Sequence, residues 1–439
     1  MEIVEFFSLE KMKRKQPETT GEFFAPLAGM TYEEQLEIKD KTTRNFQVEV
    51  TKELKKRCLA RKYPVPVFSP KIEKIVSLPQ SLEISHRNKC EFTFGPDGGL
   101  GFVKRSGTNF HVEAITAENP LVPPEMLKIV NSLKSTLLPL FTCYSRGDHS
   151  SGLLRTATVR LGAGACLMIQ VKQWPGGEEE VARLRSVLLE IVKNDDLNIV
   201  SLWLQLNPGL SDACNVKPEF LWGAEEGVTL SVCDLKFQVN PLSFFQTNTR
   251  ACEMLYSLVA DWASETSGEL LLDLCCGVGT IGQVLAKKCS ERVRVVGVEL
   301  IEEAVVDARR NAQRNFGADA ERLRFESGRV EDVLPSLLKE ELDKNSNCSV
   351  VAIVDPPRSG LHSAVLRALR DNPEIKTVIY VSCNPETLAR DTELLIEPLT
   401  DCPEEEGLAV SKPFRAERVV AVDMFPNTAH CEMVLRLVR

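Results

Sequence analysis

The second half of the chain alternates short apolar runs with helix-forming segments, and no other feature constrains the fold as strongly. The first run, LLLDL, is followed by a glycine-rich turn, and each later run is followed by polar residues before the next helical segment. Such alternation predicts a doubly wound parallel sheet with helices on both faces. The five predicted parallel-type strands are 270–274, 294–298, 322–327, 350–354 and 377–381.

Two more apolar runs, RVVAVDMF and CEMVLRLV, close the chain with only PNTAH between them. A connection this short predicts an antiparallel hairpin, because parallel strands need a much longer crossover. We therefore predict an α/β domain over residues 236–439, in which five parallel-type strands are followed by an antiparallel terminal pair.

The preceding segment, residues 80–235, consists of short β-like runs separated by Gly, Asn and Pro, with two helical segments. This pattern predicts a smaller α+β domain. Cations lie near Phe92, Phe94 and Phe102, and cations interleaved with rings suit RNA. The alternative is that the phenylalanines form a core beneath an ordinary charged surface. The candidate RNA-binding residues are Arg87, Lys89, Lys104, Arg105, Arg155 and Arg160.

Residues 1–79 are predicted to form an N-terminal arm and a helical segment. The arm, residues 1–30, is expected to be irregular, and the helix is expected from Tyr32 to about Lys62 with Thr31 as its N-cap. The basic end of this helix, KELKKRCLARK, is either a solvated face or a surface that contacts phosphates.

Composition excludes several classes of protein. The hydrophobic fraction is 43%, and no apolar run approaches the ~20 residues that a bilayer-spanning helix needs. The 14 cysteines contain no CxxC pair, so we expect neither a disulfide scaffold nor a thiolate metal site. We expect the protein to reside in a reducing compartment. Because the net charge is -9, any binding to nucleic acid must depend on a local basic surface.

The turn after the first strand of the parallel sheet, CCGVGT, is the candidate cofactor site. Gly277 and Gly279 allow the backbone to approach a ligand closely. Glu299 ends the next strand, where an acid binds a ribose in dinucleotide folds. The turn is not GxGxxG, and Asp273 just before it disfavours a pyrophosphate. An acid here suits a cationic ligand without phosphates, such as S-adenosylmethionine, and a generic nucleotide site is the alternative.

Cys383 is the candidate nucleophile. It follows the fifth strand as Asp355 follows the fourth, which predicts both at the ligand-binding edge of the sheet. Asn384 can cap the next helix and Pro385 suits its first turn, so the thiol is expected at a helix N-terminus. The helix dipole there is expected to lower the pKa of the thiol. The alternative is a buried, inert cysteine.

A thiolate is needed for one kind of methyl transfer and not for others. A nitrogen or oxygen acceptor attacks a methyl group directly, whereas C5 of a pyrimidine becomes nucleophilic only after a thiolate adds to C6. The C5 proton must then leave, and Glu432, near the start of the last run, is the predicted base. His430 lies on the same face by strand alternation and is either the alternative base or a residue that supports the base. The alternative for Glu432 itself is a solvated edge carboxylate.

Several motifs, in this order, make the chain similar to a known family. The chain resembles the RNA (uracil-5-)-methyltransferases, which make 5-methyluridine in tRNA and rRNA from S-adenosylmethionine. It looks most like the eukaryotic branch and, since no RNA-recognition domain precedes the shared region, like the mitochondrial-type paralogue. The motifs, spread over roughly residues 30–439, are YEEQL, HRNKCEFTFG, NPLSFFQTN, LDLCCGVGTIG, GVEL, DPPRSGL, YVSCNP and HCEMV.

The resemblance implies a Rossmann-like methyltransferase fold with Cys383 as nucleophile and Glu432 as proton acceptor. It also implies that the domain before residue 236 grips the RNA and presents the target base. An iron–sulfur cluster and a leading β-barrel, found in some bacterial relatives, are not expected, because the clustered cysteines and the barrel pattern are missing. The implied contacts to the methyl donor are Gln246, Cys275, Gly277, Thr280, Glu299 and Asp355.

The motif DPPRSG favours uracil over cytosine as the target base. RNA cytosine-5 methyltransferases carry a cysteine in a D-x-P-C-S-G-type motif, and Arg358 stands in its place here. Two other functions stay open. The first is a nitrogen methyltransferase, because DPPR faintly resembles the D-P-P-Y motif of such enzymes. The second is a non-catalytic RNA-binding or chaperone protein. We expect a monomer without metal or membrane contact. A mitochondrial location is expected, although no presequence is visible, with cytoplasm or nucleus as the alternative.

Overall fold

The computed structural model describes residues 25–79, 86–106, 109–117, 119–147, 151–266, 269–344, 349–397 and 412–439. The predicted N-terminal arm lies outside the described residues as far as position 24.

The described residues form helices and strands in the following order. The helices are α1 (Tyr32–Ala60), α2 (Pro124–Leu137), α3 (Glu178–Ile191), α4 (Thr249–Ser264), α5 (Thr280–Lys288), α6 (Glu302–Phe316), α7 (Val330–Lys344), α8 (Ser363–Asp371) and α9 (Pro385–Ile396). The strands are β1 (Lys71–Ile72), β2 (Lys89–Phe94), β3 (Leu100–Ser106), β4 (Asn109–Ala114), β5 (Leu154–Gly162), β6 (Gly164–Lys172), β7 (Ile199–Asn207), β8 (Glu219–Gly223), β9 (Val228–Val232), β10 (Leu235–Val239), β11 (Leu270–Leu274), β12 (Arg294–Glu299), β13 (Leu323–Ser327), β14 (Val350–Val354), β15 (Ile375–Ser382), β16 (Arg415–Val422) and β17 (Glu432–Val438).

The predicted doubly wound sheet is confirmed and contains eight strands in the order β1-β16-β17-β15-β14-β11-β12-β13. Neighbours from β13 to β15 are parallel, whereas β17 is antiparallel to both β15 and β16. The two-residue strand β1 adds a parallel edge beside β16 that was not predicted. One hydrophobic core joins the sheet to α4, α5 and α6, and a second joins its other face to α1, α7, α8 and α9.

The smaller sheet has seven strands in the order β4-β3-β2-β5-β6-β7-β8 and lies inside the predicted 80–235 segment. Its apolar face packs against α2 and α3. Phe92 and Phe94 are fully buried in that core, and Phe102 stacks on Phe92 with ring centroids 5.4 Å apart. These phenylalanines therefore fill a core, which was the alternative to a base-stacking role. The domain boundaries themselves stay a prediction.

The N-terminal helix begins as its sequence predicts and docks against the α/β domain. Thr31 forms a capping box with Glu34, in which side chain and backbone satisfy each other's free groups. At the other end, Arg57 pairs with Glu393 and Glu397 at 3.2 and 2.9 Å. Part of the basic segment therefore binds α9, an arrangement that neither of the two expectations for this segment included.

Candidate active site

The carboxyl ends of the parallel strands bring the predicted donor-binding residues to one edge. β11 lies between β12 and β14, all three in parallel register. Glu299 therefore ends the strand on one side of Cys275, and Asp355 follows the strand on the other side. The backbone N–H of Asp355 donates to the Leu274 carbonyl at 3.5 Å. Ligands bind at this edge in open α/β sheets.

The antiparallel pairing of β17 with β15 adds the second half of the site. The last paired residues are Ser382 and Met433. Continuing that register by one residue puts Cys383 opposite Glu432. The thiol and the carboxyl come from distant parts of the sequence, yet the sheet holds them side by side.

The turn that carries Cys383 is fixed by its neighbours. Asn384 caps α9, as predicted, by accepting a hydrogen bond from the Glu386 N–H at 3.1 Å, and Pro385 is the first helical residue. The Asn384 side chain also donates to the carbonyl of Arg358 at 3.0 Å, and Thr387 Oγ1 donates to the same carbonyl at 3.3 Å. The cysteine turn and the DPPR loop are thus joined.

The electrostatics around Cys383 differ from the prediction. Burial, and next the negative charge of Glu432, raise the pKa of the thiol, while Arg358 lowers it by its charge and by a hydrogen bond. The predicted lowering by the helix N-terminus is therefore wrong for the free protein, because partial burial next to carboxyl groups outweighs the end of a helix dipole. Arg358, which the sequence analysis used only to exclude cytosine, is the cation that favours the thiolate.

Buried carboxyl groups line the same edge. Burial raises the pKa of Asp273 to about 7, although a hydrogen bond from the Gly282 N–H at 2.7 Å acts to lower it. Burial and then the charge of Asp273 raise the pKa of Asp355 to about 7. Burial and Asp355 raise the pKa of Glu432 well above its usual value. Asp273 Oδ1 and Glu432 Oε2 have no hydrogen-bond partner within the described ranges.

The glycine-rich turn is held by Glu299 and leaves open space at Gly277. The backbone N–H of Gly277 donates to Glu299 Oε2 at 3.0 Å, and the Ile301 N–H donates to Glu299 Oε1 at 3.0 Å. A Cβ on Gly277 would meet no atom within 4 Å, whereas one on Gly279 would lie 2.7 Å from the Phe325 ring. Gly279 therefore permits close helix packing, and Gly277 leaves space in front of the turn.

The residues at this edge fit S-adenosylmethionine. The buried carboxyl groups with free oxygens suit a ligand that carries an ammonium and a sulfonium, and they oppose a pyrophosphate. Leu300 and Ile301, next to Glu299, are 61% and 53% exposed and offer apolar contact. Thr280 begins α5 and is buried, and Cys275 is half-buried with a left-handed backbone (φ 65°).

Gln246 lies on the loop of residues 240–248. Its side chain is 6% exposed, and its carbonyl accepts a hydrogen bond from the Asn88 side chain at 2.9 Å. At the end of the loop, Asn248 Nδ2 donates to the Met424 carbonyl at 3.1 Å. The loop thereby connects the smaller sheet to the segment between β16 and β17.

A buried clamp from α1 holds that same segment, and sequence reasoning did not find it. Lys39 Nζ lies 2.5 Å from Asp423 Oδ1 and donates to the Phe425 carbonyl at 2.9 Å. The Tyr32 hydroxyl donates to Asp423 Oδ2 at 2.9 Å, and the Asn427 N–H donates to Gln35 Oε1 at 2.8 Å. No local pattern marks these residues, because a buried Lys is recognisable only once its partner is known.

Arg155 is not available to RNA, contrary to the prediction. Its side chain is fully buried, pairs with Asp212 at 2.9 Å, and lies 4.3 Å from the centroid of the Tyr144 ring. It also donates to the carbonyls of Gly209 and Leu210. Its donors are used inside the protein, so its role is structural.

The other predicted RNA-binding residues are placed differently. Arg87 is half-buried beside the 240–248 loop, and Lys104 lies 3.9 Å from Glu113. Arg105 belongs to β3, but its side chain lies outside the described residues. Lys89 and Arg160 are neighbours on one face of the smaller sheet.

The described part of the chain lacks both a metal-binding cluster and a membrane-spanning helix. It contains no group of three or more His, Cys, Asp or Glu side chains that could hold a metal ion. None of its helices combines the length and apolar character required to cross a bilayer.

Comparison with known proteins decides the family. The family model for tRNA (Uracil-5-)-methyltransferase matches residues 224–439. The tRNA (uracil-5-)-methyltransferase homolog B of Pongo abelii is 31% identical over 440 residues, which cover 96% of this chain and 87% of the relative. The chain belongs to the tRNA (uracil-5-)-methyltransferase family. The mouse homolog A is 33% identical over 379 residues, and the match spans 83% of this chain but only 58% of that relative.

A solved structure agrees with the family. The tRNA (uracil-54, C5)-methyltransferase of Pyrococcus abyssi, in complex with S-adenosyl-L-homocysteine, superposes with a TM-score of 0.65 at 26% identity, covering 98% of this chain and 88% of that one. The predicted family, methyltransferase fold, enzyme class and S-adenosylmethionine cofactor are thereby confirmed. The eukaryotic and mitochondrial details stay predictions.

Removing the cation next to the thiol should shift the pH dependence of methyl transfer. In Arg358→Met, the pKa values of Cys383 and Glu432 both rise, because the charge that lowers them is gone. The ascending limb of the pH–rate profile should therefore move to higher pH, while Arg358→Lys should move it less. Arg367→Met, on the exposed side of α8, is the matched control. An unshifted limb in Arg358→Met would contradict this role.

Removing one charge of the buried Lys39–Asp423 pair should destabilise the protein more than removing both charges. Lys39→Met leaves the Asp423 carboxylate buried without its cation, which costs about 3–5 kcal/mol of unfolding free energy. The double variant Lys39→Met/Asp423→Asn removes both charges and should regain most of that loss. Denaturant unfolding measures both values. Equal stability of the single and double variants would show that the two charges are not coupled.

Proposed function

We propose that this chain methylates C5 of a uridine in tRNA through a covalent bond between Cys383 Sγ and C6 of the base. The observation that carries the proposal is the strand register that puts Cys383 opposite Glu432. The same sheet edge holds Glu299 and Asp355. Nucleophile, base and donor-binding residues thus converge where one pyrimidine can reach them all. The printed names of the family and its relatives supply the choice of tRNA and uracil.

The reaction follows from these positions. The Cys383 thiolate attacks C6 of the uracil, and the electron pair of the C5–C6 bond becomes available at C5. S-adenosylmethionine supplies an electrophilic methyl group on a sulfonium. Once C5 carries the methyl group, Glu432 accepts the C5 proton and the thiolate leaves from C6, which restores the double bond. The base must leave its stack for the thiol and the donor to reach it together.

Glu432 suits proton abstraction better than His430 does. It is 2% exposed, and burial with Asp355 gives its carboxyl a high pKa, so its carboxylate is a strong base. Arg358 favours the ionised form that can accept the proton. His430 precedes β17 and is exposed, so its imidazole is held less firmly against the thiol.

The donor-binding and RNA-binding roles are part of this proposal. Glu299 and Asp355 bind the donor with side chains, and Gln246 contributes from the 240–248 loop. Cys275, Gly277 and Thr280 contribute through the turn, where Gly277 leaves space for a ligand. Arg87, Lys89, Lys104, Arg105 and Arg160 stay candidates for holding the RNA.

Removing the thiol should abolish chemistry and spare donor binding. Cys383→Ala should lower methyl transfer to tRNA by more than about 1000-fold, because C5 is not nucleophilic without the C6 adduct. Calorimetry should find S-adenosylmethionine affinity within about twofold of wild type. Cys289→Ala, at the end of α5, is the control that retains activity. Normal turnover by Cys383→Ala would refute the covalent mechanism.

Removing the base should trap the enzyme on its substrate. In Glu432→Gln the C5 proton cannot leave, so the thioether between Cys383 and C6 persists. A protein–RNA band that survives denaturing electrophoresis should accumulate, and should vanish when Cys383→Ala is added. Slow turnover without such a band would mean that another group accepts the C5 proton, and His430 would be tested next.

The product and the RNA class are decided by one further experiment. Mass spectrometry of nucleosides from tRNA and rRNA, taken from cells with and without the protein, should show loss of 5-methyluridine from tRNA. Loss from rRNA instead would correct the substrate, and loss of an N-methyl nucleoside would refute C5 transfer. Fractionating mitochondrial from cytoplasmic RNA tests the proposed mitochondrial location in the same samples.

A further inference from the structure

Two adjacent cations lie on the face of the smaller sheet that is turned away from α2 and α3. Lys89 of β2 lies directly opposite Arg160 of β5, and Arg160 lies opposite Cys166 of β6. Residues that face each other across strands project to the same side of a sheet. Like charges in that arrangement repel, so the folded protein bears a cost here that an anion would relieve.

Neither cation is neutralised by the protein. Arg160 is 1% exposed and donates from Nη2 to the Ser243 carbonyl at 2.7 Å, while Nε and Nη1 have no partner within the described ranges. Lys89 is half-buried, and its ammonium forms no hydrogen bond or ion pair with any described residue. Burial, then Arg160, lower its pKa to about 8, and Glu91 offsets this only in part. Unsatisfied buried donors beside a half-buried ammonium indicate a site for an anion.

The cation pair lies against the loop of residues 240–248. Ser243, which binds Arg160, belongs to the 240–248 loop that also carries Gln246. Asn88, the residue before Lys89, donates its N–H to the Thr247 carbonyl at 2.7 Å. An anion bound at this pair would therefore lie beside the loop that carries Gln246 and contacts the segment between β16 and β17.

We propose that Lys89 and Arg160 form a subsite for a backbone phosphate of the RNA strand that carries the target nucleotide. This inference rests on the proposed function. The Lys89 ammonium contacts the phosphate, and the guanidinium of Arg160 behind it supplies a second positive charge. Phosphate oxygens are the ligands that such charge-assisted donors bind best. With the carboxyl groups concentrated at the donor edge, the pair gives the acidic protein a local positive charge for RNA.

Salt dependence of RNA binding tests the subsite. In the full chain, fluorescence anisotropy with a labelled tRNA transcript is measured from low to high salt. Lys89→Gln should weaken binding by on the order of tenfold at low salt and reduce the slope of log K against log [salt] by about 1. Lys89→Arg should restore both values. Lys128→Gln, exposed on α2 over the opposite face of the sheet, is the control and should change neither.

Further measurements separate the possible outcomes. Arg160→Gln should lower the slope as Lys89→Gln does, and S-adenosylmethionine affinity reports whether each variant is folded. Unchanged slope and affinity in Lys89→Gln would overturn the subsite. A second result would also overturn the subsite: inorganic phosphate stabilises the wild-type protein against heat but not Lys89→Gln, while the salt slope of RNA binding by Lys89→Gln stays normal. The site would then bind free phosphate only. Wild-type methylation of tRNA, assayed in parallel, tests the proposed function independently of these slopes.

Discussion

The pairing of β17 with β15 is the constraint on which the active site depends. β17 is antiparallel and enters the sheet between β15 and β16, so its first residue meets the end of a strand that runs the opposite way. That geometry alone puts Glu432 opposite Cys383. Because side chains alternate along a strand, a slip of one residue would turn the Glu432 carboxyl to the other face. The hairpin therefore sets which carboxyl serves the thiol.

The site concentrates carboxyl groups and offsets them with little positive charge. Burial raises the pKa values of Asp273, Asp355 and Glu432. Burial, and then the charges of Glu432 and Asp355, raise the pKa of Cys383. Such a site is poorly suited to an isolated thiolate and well suited to a cationic donor. Arg358 is positioned to favour ionisation of both the thiol and the base. Binding of a positively charged donor would add to its effect, because opposite charge favours the ionised form of each acid.

Two separate parts of the chain meet at the segment between β16 and β17. Helix α1 holds it through the buried pair of Lys39 and Asp423, and the 240–248 loop holds it through Asn248. The same loop contacts the smaller sheet through Asn88 and Arg160. RNA bound at the smaller sheet would therefore lie beside a loop that is joined to the segment between β16 and β17.

The sequence by itself determined the parallel sheet, its antiparallel terminal pair, the cap at Thr31 and the cap at Asn384, because these depend on local periodicity and on residues a few positions apart. It also brought Glu299, Asp355 and Cys383 to one edge, since every parallel strand ends there. Only the tertiary structure decided the sign of the pKa shift at Cys383, the burial of Arg155 and the clamp between Lys39 and Asp423. Burial and charge at a point are sums over residues far apart in the chain, and no local pattern contains them.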